Sequence, residues 1–140
     1  MPDAVIDTNV VLRHLLHDDP GLSQAATALL LRIEAGEVNG RLGAIAIAEA
    51  VWVLGGRIYS FRAEEIRDAL VDVLRMPNLV VLERERLIKA LDLFAAFKLD
   101  FADAYHAALA LEQGGSVYSF DRDFDRIPGV TRVEPPASRG

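Results

Sequence analysis

The sequence predicts an α/β fold in which parallel strands form a sheet covered by helices. Short apolar and β-branched runs alternate along the 140 residues with longer segments of strong helix formers. Strands that are separated by helices pair in parallel, and such sheets are buried on both faces. Apolar residues make up 51% of the chain, which is enough for a sizeable core, and the length fits one domain.

Six helices are predicted from apolar spacing and from residues that stop helices. In the fourth helix, Ile66, Leu70 and Val73 recur at the spacing of one buried face. Gly36 follows the second helix, and Gly114-Gly115 follows the sixth, as glycine commonly does at helix ends. The predicted helices cover residues 9–16, 23–35, 45–54, 63–75, 84–97 and 101–113.

Five short strands are predicted between these helices, at residues 5–6, 41–43, 79–82, 117–120 and 131–133. The first strand looks buried and runs straight into Asp7, and the fourth strand meets Asp121. Ligands of parallel sheets bind at the carboxyl ends of the strands. Two acids that directly follow two strands therefore indicate a site at that edge of the sheet. A single domain is expected over residues 1–134, followed by a disordered tail at residues 135–140.

Several classes of function are excluded by what the sequence lacks. There are no cysteines, which excludes a disulfide framework, a thiolate zinc site and a cysteine nucleophile, and which fits a reducing cytoplasm. No apolar run approaches the roughly 20 residues that a membrane span needs, and no secretory signal is expected. The glycine-rich motifs for dinucleotides and phosphates and the G-x-S-x-G motif of hydrolases are absent.

Asp7 and Glu49 are the candidate site residues of the first half. A carboxylate after a buried strand is costly without a positive partner, although Asp7 has an alternative role as a helix N-cap. Glu49 is the only charged residue between Arg41 and Arg57, within an apolar helix. Its alternative interpretation is a solvated position on that helix or an ion pair with Arg57.

The second half adds Asp103 and Asp121. Asp100 fits an N-cap at the start of the sixth helix, which leaves Asp103 in its first turn among small residues. Asp123 is a candidate metal or supporting group, and Ser119 a candidate hydrogen-bonding group. The D-x-D-x-D spacing from Asp121 resembles a calcium loop, but the glycine and the closing glutamate of that motif are missing.

Four carboxylates that converge would raise one another's pKa, and divalent cations would keep them ionised. Ligand sets made only of oxygen select Mg²⁺ or Mn²⁺, and such ions activate water and stabilise a leaving oxygen at phosphorus. Bound cations would also offset part of the net charge of −6, which otherwise disfavours a polyanion. The basic residues considered for a phosphate backbone are Arg13, Arg41, Arg57, Arg62 and Arg122.

The motifs "VIDTNVVL", "DFADAYHAALA" and "YSFDRDF", with an isolated Glu49 in the third helix, resemble a PIN domain. The resemblance covers about residues 3 to 134 and is specifically to the toxin nucleases of VapBC toxin–antitoxin pairs. It implies a three-layer α/β/α sandwich with a parallel sheet of about five strands. It also implies that Asp7, Glu49, Asp103 and Asp121 hold Mg²⁺ or Mn²⁺, with Asn9 and Ser119 as accessory polar positions.

The resemblance further implies an endoribonuclease that cuts transfer, ribosomal or messenger RNA, forms a homodimer and is blocked by a cognate antitoxin. The apolar stretch around Trp52 also favours a dimer. One departure is Ala46, which stands where many members carry Thr or Ser. Two alternatives stay open: a phosphohydrolase or DNA-end nuclease on the same metal site, and a non-catalytic module that binds a partner protein.

Overall fold

The computed structural model describes residues 3–137 and confirms the alternation of helices and short strands. The helices α1–α6 are Thr8–Leu15, Pro20–Glu34, Ala44–Leu54, Ala63–Leu74, Arg84–Phe97 and Phe101–Glu112. The strands β1–β5 are Ala4–Val5, Gly40–Arg41, Leu79–Val80, Ser116–Tyr118 and Thr131–Val133. A 3₁₀ helix, Arg122–Arg126, was not predicted, because its acids were interpreted as loop residues.

All strand pairs are parallel, as the alternating pattern predicts. The first three strands form one sheet in the order β1-β2-β3, with Ala4 opposite Gly40 and Gly40 opposite Leu79. The last two strands form a second sheet, with Ser116 opposite Thr131. The five predicted strands are therefore present, and they pair as a set of three and a set of two.

The chain divides into two compact units, one ending at Glu85 and the other beginning at Arg86. The first unit contains the three-stranded sheet and α1–α4, with a core that includes Leu30, Ile47 and Leu70. The second contains nearly all of α5, then α6, the two-stranded sheet and the 3₁₀ helix; its buried residues include Leu91 and Ala104. The single domain expected over residues 1–134 stays a prediction.

Helix α2 begins at Pro20, three residues before the predicted start at Ser23. The Asp19 carboxylate accepts a hydrogen bond of 3.1 Å from the backbone N–H of Leu22, and so caps the helix. Proline is favoured in the first turn because it has no N–H that would be left without a partner. The sequence His17-Asp18-Asp19-Pro20 was interpreted as a turn, whereas its last two residues start the helix.

The strands before the two candidate acids end one or two residues earlier than predicted, but their pairing extends beyond the assigned ends. The Ile6 N–H donates to the Arg41 carbonyl at 2.8 Å, and the Ser119 N–H donates to the Val133 carbonyl at 3.1 Å. Val5 is 81% exposed and Ile6 is 4% exposed. The first strand is therefore not buried as a whole, and Asp7 follows a single buried residue.

The last described residues of the chain and the tryptophan side chain are exposed. Residues 135–137 are exposed and have no regular secondary structure, while 138–140 lie outside the described residues. Trp52, in the apolar stretch that favours a dimer, is 82% exposed. Within residues 3–137, no helix is both long enough and apolar enough to cross a membrane.

Candidate metal site

Three carboxylates gather in the second unit. Asp103, Asp121 and Asp123 each present an oxygen atom, and these atoms lie within 4.8 Å of one another. Asp103 lies in the first turn of α6, Asp121 caps the 3₁₀ helix and Asp123 is the second residue of that helix. Two of the four acids predicted to converge, together with the predicted supporting residue Asp123, are thus brought together.

Local hydrogen bonds fix the backbone that carries Asp121 and Asp123. The backbone N–H of Asp121 donates to the Ser119 hydroxyl at 2.9 Å, and that of Asp123 donates to the Asp121 carboxylate at 2.9 Å. Ser and Asp side chains favour such turns because they replace backbone acceptors. Ser119, the residue directly after β4, therefore shapes the loop that presents the acids.

The third acid of the D-x-D-x-D run makes a different contact. Asp125 pairs with Arg132 of β5 through two contacts, at 3.0 and 3.3 Å, and is outside the cluster. The same guanidinium donates to the Ser119 carbonyl at 3.2 Å and to Glu134 at 2.9 Å. Its bonds to Asp125 and Glu134 raise the pKa of Arg132. Arg132 therefore ties β5 to the loop that carries Asp121.

Helix α6 places Asp103 in a partly buried position. Ala104, Ala107 and Ala108 are buried, as the small-residue pattern predicts. Burial raises the pKa of Asp103, and so do the negative charges of Asp121 and Asp100 and a hydrogen bond with Asp121, while His106 opposes the shift. Without a cation, Asp103 therefore binds a proton more readily than an ordinary aspartate.

Asp100 contributes to this electrostatic environment in a way that the sequence interpretation missed. It occupies the N-cap position of α6, as expected, but its side chain accepts no capping hydrogen bond. Its charge instead acts on Asp103, and it is one cause of the raised pKa there. The sequence did carry a signal for this interaction: Asp100 and Asp103 are three residues apart, and residues at i and i+3 are neighbours on a helix surface.

The remaining predicted site residues lie in the first unit. Asp7 is at the N-cap position of α1, but its carboxylate makes no capping hydrogen bond, so the alternative role as a cap is not realised. Asn9 and Glu49 are exposed, on α1 and α3 respectively. In the described part of the chain, Glu49 has no ion pair with Arg57, so it matches the alternative of a solvated position. The participation of Asp7, Asn9 and Glu49 in a metal site stays a prediction.

The donor set of the cluster fits a hard divalent cation. All three donors are carboxylate oxygens, which Mg²⁺ and Mn²⁺ prefer over nitrogen or sulfur. Asp103, Asp121 and Asp123 are the residues that would hold such an ion, because their carboxylate oxygens lie within 4.8 Å of one another.

Parallel strands, helices between them and a carboxylate cluster beyond a strand end define an α/β protein with a candidate site for a divalent metal. The model of the PIN domain family matches residues 4–130, which is most of the chain, and the chain belongs to this family. The family membership confirms the α/β/α fold class, and PIN domains are typically metal-dependent nucleases. No curated protein matches the chain.

Proposed function

We propose that this PIN-domain protein is a Mg²⁺- or Mn²⁺-dependent endoribonuclease that hydrolyses phosphodiester bonds of RNA. The observation that carries the proposal is the gathering of Asp103, Asp121 and Asp123 within 4.8 Å in a chain of the PIN family. Such a cluster of negative charge is unfavourable unless protons or cations neutralise it. In a nuclease the neutralising cation is also the source of the chemistry.

The residues of the cluster have distinct parts in this proposal. When bound, a divalent cation supplies Lewis acidity toward the phosphodiester and makes water a better nucleophile. Asp103 and Asp121 hold the cation, and Asp123 binds it or supports these ligands. Ser119 maintains the loop through its hydrogen bond to the Asp121 N–H.

The first unit supplies the other proposed participants. Asp7 is proposed as a further ligand, and Glu49 as a ligand or as the group that orients the attacking water. Asn9 is proposed to support them by hydrogen bonding. These three roles are supported by the match of "VIDTNVVL" and the isolated Glu49 to the family pattern.

We further propose that the protein is a VapC-type toxin that acts on RNA in the cytoplasm, forms a homodimer and is inhibited by a cognate antitoxin. The motifs around Asp7, Glu49, Asp103 and Asp121 support this role by their resemblance. Exposed apolar side chains on α3, Ile45 and Trp52, offer a surface for a protein partner. The net charge of −6 would favour a basic antitoxin.

The proposal is tested by RNA cleavage with matched aspartate variants. Total RNA and transfer RNA are incubated with wild type, Asp121→Asn and Asp125→Asn, in Mg²⁺, in Mn²⁺ and in EDTA. Asp125→Asn is the matched control, because Asp125 lies in the same acidic run but binds Arg132 instead of joining the cluster. We expect wild type and Asp125→Asn to cut, and Asp121→Asn to be slower by about 100-fold or more, as for other losses of transition-state stabilisation.

Cleavage that persists in EDTA, or that Asp121→Asn retains at the wild-type rate, would overturn the proposal. Turnover of a phosphomonoester or a DNA flap without RNA cleavage would favour the phosphohydrolase or DNA-end nuclease. A calorimetric titration with Mn²⁺ that shows no binding to wild type, together with no cleavage, would favour a non-catalytic binding module. Thermal denaturation of each variant checks that lost cleavage does not reflect lost folding.

A further inference from the structure

The five arginines considered for a phosphate backbone fall into two groups in the structure. Three of them bind carboxylates of the protein itself, in the pairs Arg13–Asp18 at 3.3 Å, Arg41–Asp3 at 2.7 Å and Arg62–Glu65 at 3.2 Å. The other two, Arg57 and Arg122, have no side-chain hydrogen bond or ion pair within residues 3–137. Only these two guanidinium groups are uncommitted among the five.

Arg122 is the sequence neighbour of two acids of the candidate metal site. It is the first residue of the 3₁₀ helix, it is exposed, and it stands between two acids of the cluster, Asp121 and Asp123. The other arginine of this short helix, Arg126, contacts Asp123 at 3.6 Å and the Phe97 carbonyl at 2.9 Å. Arg122 thus differs from Arg126 in having its charge available to a ligand.

Arg122 forms no ion pair with its acidic neighbours in the described part of the chain. Oxygen atoms of Asp121 and Asp123 gather with one of Asp103. A positive side chain is therefore adjacent in sequence to the carboxylate cluster and is not used to neutralise it.

Phosphate recognition is the chemistry that suits such a group. The guanidinium is always charged and its planar fork matches two phosphate oxygens at once. A chain with a net charge of −6 needs local positive charge where it meets a nucleic acid. Arg122 is placed to hold a backbone phosphate next to the bond that the metal site would cleave.

We propose that Arg122 is a substrate-binding residue that holds a phosphate of the RNA strand beside the metal site. This inference rests on the proposed function, because it assigns the way in which the same site binds its substrate. A phosphate contact contributes to binding before and during the reaction alike, so its loss raises KM and leaves kcat almost unchanged.

The test compares Arg122→Gln and Arg122→Lys with wild type in steady-state cleavage of transfer RNA in Mg²⁺. We expect Arg122→Gln to raise KM about tenfold, with kcat within about twofold of wild type. Arg122→Lys keeps the positive charge but loses the planar guanidinium that binds two phosphate oxygens at once. We therefore expect its KM to lie between those of wild type and Arg122→Gln. The dependence of log KM on log salt concentration should weaken by about 0.7 for one lost contact to a single strand.

Arg75→Gln is the matched control. Arg75 is exposed at the end of α4, and among residues 3–137 its side chain has no partner either, so the variant removes the same charge from a different place. It should leave KM and its salt dependence as in wild type. A KM of Arg122→Gln equal to that of Arg75→Gln, in an enzyme that cuts RNA, would overturn the inference and leave the proposed function standing.

Two further readouts separate binding from structure. Arg122→Gln should keep the wild-type thermal midpoint and the wild-type affinity for Mn²⁺ measured by calorimetry. A fall in either quantity together with the rise in KM would assign Arg122 a structural role and overturn the inference. A wild type that binds Mn²⁺ but cuts no RNA would overturn the proposed function, and the inference with it.

Discussion

At the scale of single residues, Asp103 is an acid whose ionisation opposes folding unless a cation is bound. Its pKa is raised by burial first and by Asp121 and Asp100 next, so the folded chain holds its proton more tightly than the unfolded chain does. Folding stability therefore falls as pH rises from about 4, the ordinary aspartate value, through the folded pKa. Above the folded pKa, where Asp103 is ionised in both states, the folded protein has lost all of the stability that this proton contributes.

Because ionised Asp103 lowers folding stability, we predict that Asp103→Asn stabilises the metal-free protein. In EDTA at pH 7 we expect the variant to melt a few degrees above wild type, because asparagine carries no charge for Asp121 and Asp100 to repel. The difference should shrink as pH falls toward 4, because the raised pKa of Asp103 favours its protonated form in wild type as the solution becomes more acidic. Thermal denaturation at several pH values between 4 and 8 measures both effects.

Addition of Mn²⁺ should reverse the order of the two proteins. A cation that binds the folded state stabilises it according to its affinity, and wild type keeps the carboxylate that the variant lacks. Asp72→Asn, on an exposed position of α4, is the control and should melt as wild type does in EDTA and in Mn²⁺. A metal-free Asp103→Asn that melts below wild type would show that Asp103 is not under electrostatic strain.

At the scale of elements, the turn between α6 and β4 depends on two adjacent glycines for different reasons. Gly114 and Gly115 both have positive φ, +102° and +96°. A Cβ atom on Gly115 would lie 2.3 Å from the Gly129 carbonyl oxygen, whereas one on Gly114 would meet open space. The Gly115 carbonyl also accepts a hydrogen bond of 2.7 Å from the Thr131 N–H, at the start of β5.

Alanine at these two positions should therefore separate backbone strain from steric overlap. We expect Gly114→Ala to lower the free energy of unfolding by about 1 kcal/mol, the cost of an unfavourable φ alone. Gly115→Ala should cost about 3 kcal/mol or more, because the backbone around Gly129 must also move. Urea denaturation measures both values, and equal costs for the two variants would contradict the overlap.

The sequence predicts elements well where a single local pattern decides them. Helix α5 and strand β5 have the bounds that were predicted, since apolar spacing and neighbouring turn residues agree there. The start of α2 was wrong because two local signals compete at Asp19-Pro20, one for a turn and one for a capped helix. Strand ends differ by one or two residues because pairing with a distant strand, which no local pattern shows, determines them.

The candidate site shows the same limit. Asp121 could be predicted because it follows a strand, and Asp103 because it opens a small-residue helix. The sequence could not predict that Asp123 joins the cluster and Asp125 does not, since both are exposed acids in one short run. Their roles depend on Arg132, which binds Asp125 from β5 and is seven residues away in the chain. Long-range pairing of strands places that arginine.

At the scale of the whole molecule, charge determines how the protein can meet a polyanion. The chain has 21 acidic and 15 basic residues, and much of the basic charge is already used in ion pairs such as Arg13–Asp18 and Arg86–Glu112. Non-specific attraction to a polyanion is therefore expected to be weak. Under the proposed function, RNA binding would rely on cations at the carboxylate cluster and on the few uncommitted arginines, so we expect RNA affinity to depend on divalent metal as well as on salt.

The exposed face of α3 leads to a prediction about association. Ile45 and Trp52 are 75% and 82% exposed, and a spacing of seven residues, two helical turns, puts them on the same side of the helix. Exposed apolar side chains on one side of a helix can form part of a contact surface. We expect a homodimer through this face, with a mass of twice 15.3 kDa by light scattering at micromolar concentration.

Trp52 is the only tryptophan of the chain, so its fluorescence reports on this face directly. On dilution of wild type, emission should shift to longer wavelength as the dimer dissociates and the indole becomes solvated. Trp52→Glu should give a monomer by light scattering, because a charge in an apolar contact carries a large desolvation cost. Leu31→Glu, at a half-exposed apolar position of α2, is the control and should leave the dimer intact. A monomer mass for wild type, with emission that does not change with concentration, would show that α3 does not mediate self-association, and the apolar face would then be available to a different protein partner.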